Sequence, residues 1–275
     1  MTQLNNALVL LTGAAGGFGQ ELTRQLLQAG SRLILTDLDD TLLWEQSRAM
    51  QATIQTGEIL ACFAVDLAEP TGCDRLYQQV KALGYAIDIL INNAGIGLFG
   101  RMDEIPAEKW ERLMQVNLLA PMRLSSLFVA DMIARRQGHI VNMSSLAGWV
   151  AQAGLAHYSA SKFGLRGFSE GLCNEVKPYN VQVTVVYPFF SRTPILHSEK
   201  LGTLAEEHQG VPDNWVTDPA KVMAATLQAI QQNKLHVFPD AIGQIVQRLK
   251  RHTPKLLDWI SNALARRQQG GSSLQ

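Results

Sequence analysis

The stretch that decides the fold is Leu8-Val9-Leu10-Leu11-Thr12-Gly13-Ala14-Ala15-Gly16-Gly17-Phe18-Gly19, an apolar run followed by a glycine-rich turn. The apolar run predicts a buried strand, and the residues after the turn have the apolar spacing of a helix. Glycines let the backbone turn tightly and approach a pyrophosphate, whose charge is favoured by the N–H groups and dipole of a helix start. A purely structural turn is the alternative, but a strand before and a helix after favour dinucleotide binding.

The rest of the chain repeats this unit of strand and helix. Its short runs are apolar nearly throughout rather than alternating, which predicts strands covered on both faces, as in a parallel sheet. Segments of helical length, such as Gln20–Ala29 and Ala107–Arg136, separate them. We therefore predict one α/β domain over residues 1–275, a Rossmann-type doubly wound sheet of about seven strands with helices on both faces. The predicted strands are Leu8–Leu11, Arg32–Thr36, Ile59–Val65, Ile87–Ile91, His139–Met143, Gln182–Val186 and His236–Phe238.

Composition excludes several classes of protein. The 275 residues are 47% hydrophobic, with 24 Lys and Arg against 24 Asp and Glu. A neutral balance argues against a nucleic-acid partner. The three cysteines, Cys62, Cys73 and Cys173, have no metal-ligand spacing, so we predict no metal site, and their sparse use suits a reducing compartment. The first residues lack a basic region and a long apolar segment, so we expect a cytoplasmic protein.

An acidic residue, Asp37, closes the second predicted strand. A carboxylate at this point can accept hydrogen bonds from an adenosine ribose and would repel a 2′-phosphate. The neighbouring Leu38 supplies no cation for such a phosphate, so NAD(H) is favoured over NADP(H) as cofactor. Two alternatives stay open: Asp37 caps the following helix, as Asp39 or Asp40 could also do, or the chain uses NADP(H).

Three motifs occur in order along the chain, and together they make it resemble the short-chain dehydrogenase/reductase family from about residue 7 to about residue 240. The pattern Thr-Gly-x-x-x-Gly-x-Gly begins at Thr12, Asn-Asn-Ala-Gly occupies 92–95, and Tyr-x-x-x-Lys joins Tyr158 to Lys162. The resemblance implies contacts to the cofactor at Gly13, Gly17, Phe18, Gly19, Asp37, Asp66, Leu67, Asn93, Ala94, Gly95, Tyr158, Lys162, Pro188 and Thr193.

The resemblance also implies four catalytic residues: Asn117, Ser145, Tyr158 and Lys162. In the family the catalytic serine precedes the tyrosine by thirteen positions, which selects Ser145 over its neighbour Ser144. Tyr158 is then the general acid and base, Ser145 binds the substrate oxygen, and Asn117 anchors a water that links Lys162 to solvent. The alternatives are a strand-end serine that bonds its own turn and a helical asparagine satisfied by a local backbone bond.

Chemistry explains why a tyrosine and a lysine belong together here. The pKa of a free tyrosine, about 10, is too high for proton transfer at neutral pH. A nearby ammonium, and the positive nicotinamide ring, favour phenolate and are expected to lower the pKa of Tyr158. Residues four apart on a helix share one face, so Lys162 can serve in this way. Without the other motifs, an ordinary surface pair would be the better interpretation.

The loop after the sixth strand departs from the family, which usually has Pro-Gly where this chain has Pro188-Phe189. A bulky residue cannot cheaply adopt glycine-only backbone angles, so we expect this loop to run differently beside Thr193. Residues 194–215 should form a substrate flap. With Trp149, Val150, Phe189, Phe190 and Trp215 as apolar walls, they indicate a small lipophilic alcohol or ketone substrate, unless these residues pack the fold or a subunit interface.

A basic, amphipathic helical extension is predicted over residues 240–267. Such a helix with a tryptophan can contact a membrane surface, but a helix that packs on its own core or on a partner subunit has the same pattern. The resemblance implies a homodimer or homotetramer formed through the helices that carry Asn117 and Tyr158.

The function predicted is hydride transfer between NAD(H) and an alcohol or carbonyl carbon. The alternatives are an NADP(H)-dependent reductase of the same family and a non-catalytic dinucleotide-sensing protein. The second would be expected to lose the tyrosine or the lysine, and this chain has both.

Overall fold

The computed structural model describes residues 1–206, 210–253 and 255. Its strands are β1 (Leu8–Thr12), β2 (Arg32–Asp37), β3 (Glu58–Ala64), β4 (Ile89–Asn92), β5 (Phe99–Gly100), β6 (Gly138–Met143), β7 (Val181–Val186), β8 (Lys200–Leu201) and β9 (His236–Val237). Seven of these described strands lie where the apolar runs predicted them, with bounds that differ by one or two residues, and two short strands, β5 and β8, are additional.

Seven strands form one parallel sheet in the order β3-β2-β1-β4-β6-β7-β9. The chain reverses its direction of travel across the sheet between β1 and β4, and such a switch point opens a crevice at the carboxyl ends of the strands. The predicted doubly wound fold is confirmed. A second sheet of β5 and β8 was not predicted, since each strand has only two residues.

Helices cover both faces of the sheet. They are α1 (Gly17–Gln28), α2 (Asp40–Thr53), α3 (Gly72–Ala82), α4 (Ala107–Met114), α5 (Ala120–Arg135), α6 (Ala156–Val176), α7 (Thr203–Glu206), α8 (Pro219–Gln231) and α9 (Ala241–His252).

The central strand β1 shows why the sheet needs both layers. Val9 and Leu11 belong to a core shared with α1 and α8, whereas Leu8 and Leu10 belong to the opposite core with α3, α5 and α6. Successive side chains of a strand point to opposite faces, so a strand that is apolar throughout must be covered twice.

The predicted helix Ala107–Arg136 is not continuous, because a π-helical turn at Gln115–Leu119 separates α4 from α5. By length and composition alone, 107–135 is the one described helical stretch that could cross a membrane. About 44% of its most apolar window is buried inside the fold, as in the core helices of many soluble proteins.

The last two described helices begin at capping aspartates. Asp218 accepts a hydrogen bond from the N–H of Ala220 at the start of α8, and Asp240 accepts one from the N–H of Gly243 at the start of α9. The predicted extension therefore begins as a helix, and its residues 256–267 lie outside the described part of the chain.

Candidate active site

The glycine turn after β1 is packed against the turn after β4. Gly13 has a φ of +67°, and a Cβ there would come within 2.7 Å of the Cα of Ala94. A Cβ at Gly19 would overlap the carbonyl oxygen of Gly13. Glycine is therefore required at Gly13 by the backbone angle, and at Gly19 by the close approach of α1 to its own turn.

The first turn of α1 is open to an anion. Its N-cap is Gly16, which has no side chain to bond the N–H groups of the turn. Helix N-termini without a side-chain cap leave N–H donors for another acceptor, and the helix dipole favours a negative one. This predicted phosphate-binding turn, with Gly17 and Phe18 at its start, lies beside Thr193, whose Cγ2 would be 2.8 Å from a Cβ on Gly17.

Asp37 binds the glycine turn rather than a helix. Its Oδ2 accepts a hydrogen bond from the N–H of Ala15 at 2.8 Å, and its Oδ1 accepts one from Leu38 at 2.7 Å. Helix α2 is capped by Asp39, which accepts from the N–H of Leu42. The alternative in which Asp37 is the helix cap is thus wrong, and its carboxylate lies at the edge of the candidate dinucleotide site.

The Asn-Asn-Ala-Gly turn braces the crevice. The Asn93 side-chain amide donates to the carbonyl oxygens of Thr12 and Gly13 at 3.0 and 2.9 Å. The Thr12 hydroxyl accepts hydrogen bonds from the N–H groups of Asn93 and Ala94, both at 3.0 Å. These bonds hold the ends of β1 and β4 together at the switch point.

Asp66 lies after β3 with Leu67 buried beside it. The Asp66 carboxylate accepts from the N–H of Ala68 at 2.8 Å and from Arg112 at 2.9 Å. Burial raises the pKa of Asp66, but these two hydrogen bonds and the charges of Arg112 and Arg75 together hold the pKa below its usual value. The residue is a fixed anion at neutral pH, next to the region where the resemblance places adenine.

Asn117 is placed by the π-helical turn. Its Nδ2 donates to the carbonyl oxygen of Ile96 at 2.9 Å, and its Oδ1 accepts from the N–H of Ile96 at 2.8 Å. The asparagine therefore holds the loop after β4 and makes no bond of this kind within its own helix, contrary to the alternative drawn from its helical position. A Cβ on the nearby Gly95 would lie 3.3 Å from Asn117 Oδ1 and 3.5 Å from Lys162 Nζ.

Lys162 is buried on α6 and turned toward the end of β6. Its Nζ donates a hydrogen bond to the carbonyl oxygen of Met143 at 2.9 Å. Burial lowers the pKa of Lys162 to about 8. The ammonium lies 5.6 Å from the centroid of the Tyr158 ring, so the two side chains share one volume as their spacing predicted.

Tyr158 and Ser145 lie close together. Burial raises the pKa of the Tyr158 phenol, and the neighbouring Ser145 hydroxyl only partly opposes that rise. The direction is opposite to the one expected from Lys162, because the ammonium is directed at Met143 and the phenol is removed from water. Tyr158 is thus a protonated acid at neutral pH in this arrangement.

The two neighbouring serines, Ser144 and Ser145, have different hydrogen-bond partners. Ser144 donates to the carbonyl oxygen of Lys162 at 3.0 Å and so fixes α6 against β6. Ser145 accepts from the N–H of Ala147 at 3.1 Å, so it bonds its own turn as the alternative predicted, and it also lies beside Tyr158. Ser145 is therefore the serine beside the tyrosine, as the thirteen-residue spacing predicted.

The loop after β7 tolerates its phenylalanine without backbone strain. Pro188 accepts a hydrogen bond from the N–H of Leu146, which joins this loop to the serine turn. Phe189 is not among the described non-glycine residues with positive φ, and its N–H donates to Asp240 at 2.9 Å. Thr193 reaches the glycine turn from this loop. That the loop runs differently from the family's Pro-Gly loop stays a prediction.

The aromatic residues form two groups rather than one wall. Phe189 packs against Phe190 and Trp215, with ring centroids 4.7 and 6.1 Å apart. Trp149 packs instead against Tyr187 and Phe238, at 5.5 and 5.2 Å. The expectation that Trp149 lines the same wall as Phe189 is corrected, since the tryptophan belongs to the packing of β7 and β9.

One residue of this region was missed by the sequence. Asp240 is buried and bonds both the loop after β7 and the start of α9. An aspartate before a helix signals a cap, but no local pattern shows that its second oxygen reaches a residue 51 positions away.

These features fit a nicotinamide dinucleotide. The open helix start offers donors for a pyrophosphate, the Asp37 carboxylate offers an acceptor for a ribose, and Tyr158, Ser145 and Lys162 lie together at the ends of β6 and α6. The arrangement places a proton donor and a positive group side by side, as general acid catalysis of carbonyl reduction requires.

Comparisons with known proteins agree with the geometry. A family model described as short chain dehydrogenase matches residues 7–202, which include the glycine turn, Asn117, Ser145 and Tyr158. Acetoacetyl-CoA reductase of Acinetobacter sp. (strain RA3849) is 30% identical over 240 residues, covering 86% of this chain and 95% of that protein. The 3-ketodihydrosphingosine reductase of Bos taurus is 34% identical over 193 residues, covering 70% of this chain.

The match spans 58% of the length of the bovine protein, less than two thirds of it. Among solved structures, a short-chain dehydrogenase from Sphingobium yanoikuyae in complex with NADPH resembles this chain with a TM-score of 0.76 and 25% identity. That likeness covers 98% of this chain and 96% of the other.

Proposed function

This chain belongs to the short-chain dehydrogenase/reductase family, and we propose that it is an oxidoreductase that transfers a hydride between a nicotinamide dinucleotide and the carbon of an alcohol or ketone. The observation that carries the proposal is that Tyr158 lies close enough to Ser145 for the serine to affect its pKa, with the Lys162 ammonium 5.6 Å from the tyrosine ring. A bound nicotinamide ring supplies or accepts the hydride, and the chain's own residues handle the proton.

Tyr158 is proposed as the general acid and base. Because burial raises its pKa, the phenol keeps its proton at neutral pH. A protonated phenol is the form that carbonyl reduction needs, since the developing alkoxide must receive a proton. Ser145, next to the same phenol, would hold the substrate oxygen within reach of it.

Lys162 and Asn117 are proposed as supporting groups. Lys162 keeps a positive charge next to Tyr158 at neutral pH, although burial lowers its pKa to about 8. Asn117 holds the Ile96 backbone, so the loop beside Lys162 is fixed. The water relay implied by the family would pass between these two residues.

NAD(H) is the proposed cofactor. Asp37 directs a carboxylate at the glycine turn, and two further acids, Asp39 and Asp40, follow within three residues. Their negative charges would repel the 2′-phosphate of NADP(H). The relative from Sphingobium yanoikuyae was solved with NADPH, so a direct comparison of the two cofactors is needed.

A lipophilic ketone is the proposed substrate. Phe189, Phe190 and Trp215 form an aromatic cluster on the loop and flap that follow β7. Ile195 belongs to the flap that contains Trp215. Its side chain is 39% exposed and could contact an apolar substrate chain. Two relatives are named 3-ketodihydrosphingosine reductase and acetoacetyl-CoA reductase. Both names indicate a ketone substrate, which supports a ketone on an acyl chain here.

A homodimer or homotetramer is proposed as the assembly. Leu119 and Phe163 are large apolar residues that are 40% and 39% exposed on the helical segments next to Asn117 and Tyr158. Phe163→Glu should lower the molar mass measured by light scattering, whereas Tyr85→Glu, which changes an aromatic residue exposed elsewhere, should leave it unchanged.

The experiment is a panel of lipophilic ketones and alcohols, read by absorbance of the reduced cofactor, with wild type, Tyr158→Phe and Tyr179→Phe. Tyr158→Phe should lower the turnover rate about 10²-fold or more. Binding of NADH should still quench the intrinsic fluorescence of this variant. Tyr179→Phe, at an exposed tyrosine, should behave as wild type. Turnover by Tyr158→Phe at the wild-type rate would refute the mechanism, and tight NADH binding with no turnover of any substrate would favour a non-catalytic sensor.

A further inference from the structure

The segment after β4 connects α6 to the predicted substrate flap. Its residues Phe99 and Gly100 form β5, which pairs in parallel with Lys200 and Leu201 of β8, inside the flap. The N–H of Phe99 donates to the carbonyl oxygen of Glu199 at 3.1 Å. The flap is therefore attached to this segment by its backbone.

The start of α6 holds the same segment at two points. His157 and Leu98 are both buried, and Nε2 of His157 donates a hydrogen bond to the carbonyl oxygen of Leu98 at 2.9 Å. In the turn before α6, the carbonyl oxygen of Gly154 accepts from the N–H of Gly100 at 2.9 Å. A Cβ on Gly154 would lie 2.4 Å from Cε2 of Phe99, so that ring lies directly against the turn. One side chain and one backbone bond thus join α6 to β5.

The hydrogen bond to Leu98 explains why this position carries a histidine. A carbonyl oxygen can only accept, so the neutral ring has its proton on Nε2 and a lone pair on Nδ1. Among the described residues, the buried Nδ1 of His157 has no hydrogen-bond partner. An apolar side chain would fill the space without leaving a buried acceptor unpaired, so packing alone does not require a histidine. The bond donated to Leu98 is what the imidazole adds.

The segment that His157 holds packs on Tyr158. Leu98 belongs to a small buried cluster with Ile105 and Leu113, and the side chains of Tyr158 and Leu201 pack against this cluster. Close-packed side chains cannot move independently of their neighbours. A shift of Leu98 would therefore change the packing of the tyrosine and of the flap together.

Two other contacts hold the flap without His157. Lys109 donates to the carboxylate of Glu199 at 2.5 Å, and the Glu104 carboxylate accepts from the N–H of Thr203 at 2.8 Å. Loss of the His157 bond should therefore displace the flap without releasing it. The expected effect is on substrate binding rather than on folding of the flap.

We propose that His157 is a positioning residue, which sets the place of the flap relative to Tyr158 through the carbonyl oxygen of Leu98. The two residues are consecutive, so the turn of α6 that presents the acid also anchors the cover of its substrate. His157 acts through the segment that it holds and not on the reacting atoms. The inference rests on the proposed function, because it takes Tyr158 as the acid and residues 194–215 as the substrate flap.

The test compares wild type with three variants of His157. His157→Gln keeps an N–H donor at nearly the reach of Nε2, His157→Asn has the same amide on a shorter side chain, and His157→Leu has no donor. His157→Leu and His157→Asn should raise the KM for a lipophilic ketone about tenfold, with a smaller fall in kcat. His157→Gln should stay within about threefold of wild type. The Kd of NADH should keep its wild-type value in all three variants.

Hydrogen exchange measures the link without turnover. The N–H groups of Phe99 and Gly100 bond to the flap and to the turn before α6. Both should exchange faster in His157→Leu and His157→Asn than in wild type, and at nearly the wild-type rate in His157→Gln.

The matched control is His139→Leu. His139 is a second buried histidine with hydrogen bonds to Thr2 and Thr184, and neither residue belongs to the segment after β4. This variant should lower the melting temperature and leave the KM for the ketone unchanged. An equal rise in KM for His139→Leu and His157→Leu would mean that lost stability is the cause, and would overturn the proposal.

Two further results would also overturn it: a wild-type KM for His157→Asn, or the same rise in KM for His157→Gln as for His157→Asn. If His157→Leu does not fold, the contrast between glutamine and asparagine decides the same point. Failure of the proposed function is seen separately, as absence of ketone turnover by wild type. In that case, equal exchange of the Phe99 and Gly100 N–H groups in His157→Gln and His157→Asn would overturn the role of His157.

Discussion

The buried carboxylate of Asp240 joins the start of α9 to the loop after β7 by accepting a hydrogen bond from the backbone N–H of Phe189 at 2.9 Å. Its other oxygen accepts from the N–H of Gly243 at 2.6 Å and caps the helix. One side chain thus fixes two segments that are separate in sequence. The loop it fixes carries Thr193, which reaches the glycine turn.

Asp240 is therefore expected to act as a positioning residue for the loop. Asp240→Ala leaves two N–H groups without an acceptor and should cost about 2 kcal/mol of unfolding free energy. Because the loop then loses its anchor, the KM for a ketone should rise more than kcat falls. Asp240→Asn keeps one acceptor oxygen, so its stability and its KM should lie between those of wild type and Asp240→Ala. Steady-state kinetics at saturating NADH and urea unfolding measure these effects.

The control for Asp240 is Asp218→Ala, which removes the cap of α8 but touches no loop at the site. It should lower stability by about 1 kcal/mol and leave the KM unchanged. An equal rise in KM for both variants would mean that loss of a helix cap, and not the loop contact, is responsible.

Gly19→Ala tests the close approach of α1 to its turn. The new Cβ would overlap the carbonyl oxygen of Gly13, so the turn must move and the N–H groups at the helix start must lose their alignment. We expect loss of NADH binding in a fluorescence titration, together with a lower melting temperature.

Gly171→Ala is the matched change on α6, where a Cβ meets nothing within 4 Å. It should stabilise the helix by about 0.5–1 kcal/mol and leave NADH binding intact. Wild-type binding by Gly19→Ala would contradict the requirement for glycine at that position.

His139 makes stability depend on acid pH. Its ring is buried between the hydroxyls of Thr2 and Thr184, both at 2.8 Å, and burial lowers the pKa of His139 to about 3. A folded-state pKa below the ordinary value means that stability is complete above about pH 6.5 and is lost as pH falls toward 3. From pH 7 to 4.5 this residue alone should cost roughly 3 kcal/mol of unfolding free energy.

Urea unfolding at several pH values measures this effect. His139→Gln stays neutral, so its stability should be lower at pH 7 but fall less steeply with acid. The exposed His197→Gln should keep the wild-type slope. Parallel slopes for wild type and His139→Gln would refute the assignment to His139.

Lys162 makes the unfolding free energy depend on alkaline pH. Burial lowers the pKa of Lys162 to about 8 from an ordinary 10.5, so the folded state bears the full cost of a buried charge below pH 8. Between pH 8 and 10.5 the folded chain binds fewer protons than the unfolded chain, and stability rises with pH. Relative to Lys162→Met, wild type should gain roughly 3 kcal/mol across this window.

Thermal or urea unfolding of both proteins from pH 7 to 10.5 checks this gain. Lys221→Met, at an exposed lysine, should differ from wild type by a constant amount at every pH. If the difference in unfolding free energy between wild type and Lys162→Met were also the same at every pH, Lys162 would not be buried as a charged group.

Local pattern was enough for most of the fold. Strands that are apolar on both faces require two covering layers, so the runs from Leu8–Leu11 to Gln182–Val186 predicted a parallel sheet with strands and helices alternating along the chain. The π-helical turn at Gln115–Leu119 was not predictable, because the apolar spacing of α4 and α5 continues through it. The strands β5 and β8 are too short to have a pattern of their own.

The sequence by itself determined the glycine turn, Asp37 at the end of β2, and the helical spacing of Tyr158 and Lys162, because each depends on neighbours in the chain. Only the tertiary structure decided that Asn117 bonds Ile96, that Trp149 packs away from Phe189, and that burial sets the pKa of Tyr158. Those outcomes depend on segments that meet across the sheet and on which groups lose contact with water, and neither is written in local spacing. The bond between Asp240 and Phe189 belongs to the same class, since 51 residues separate its partners.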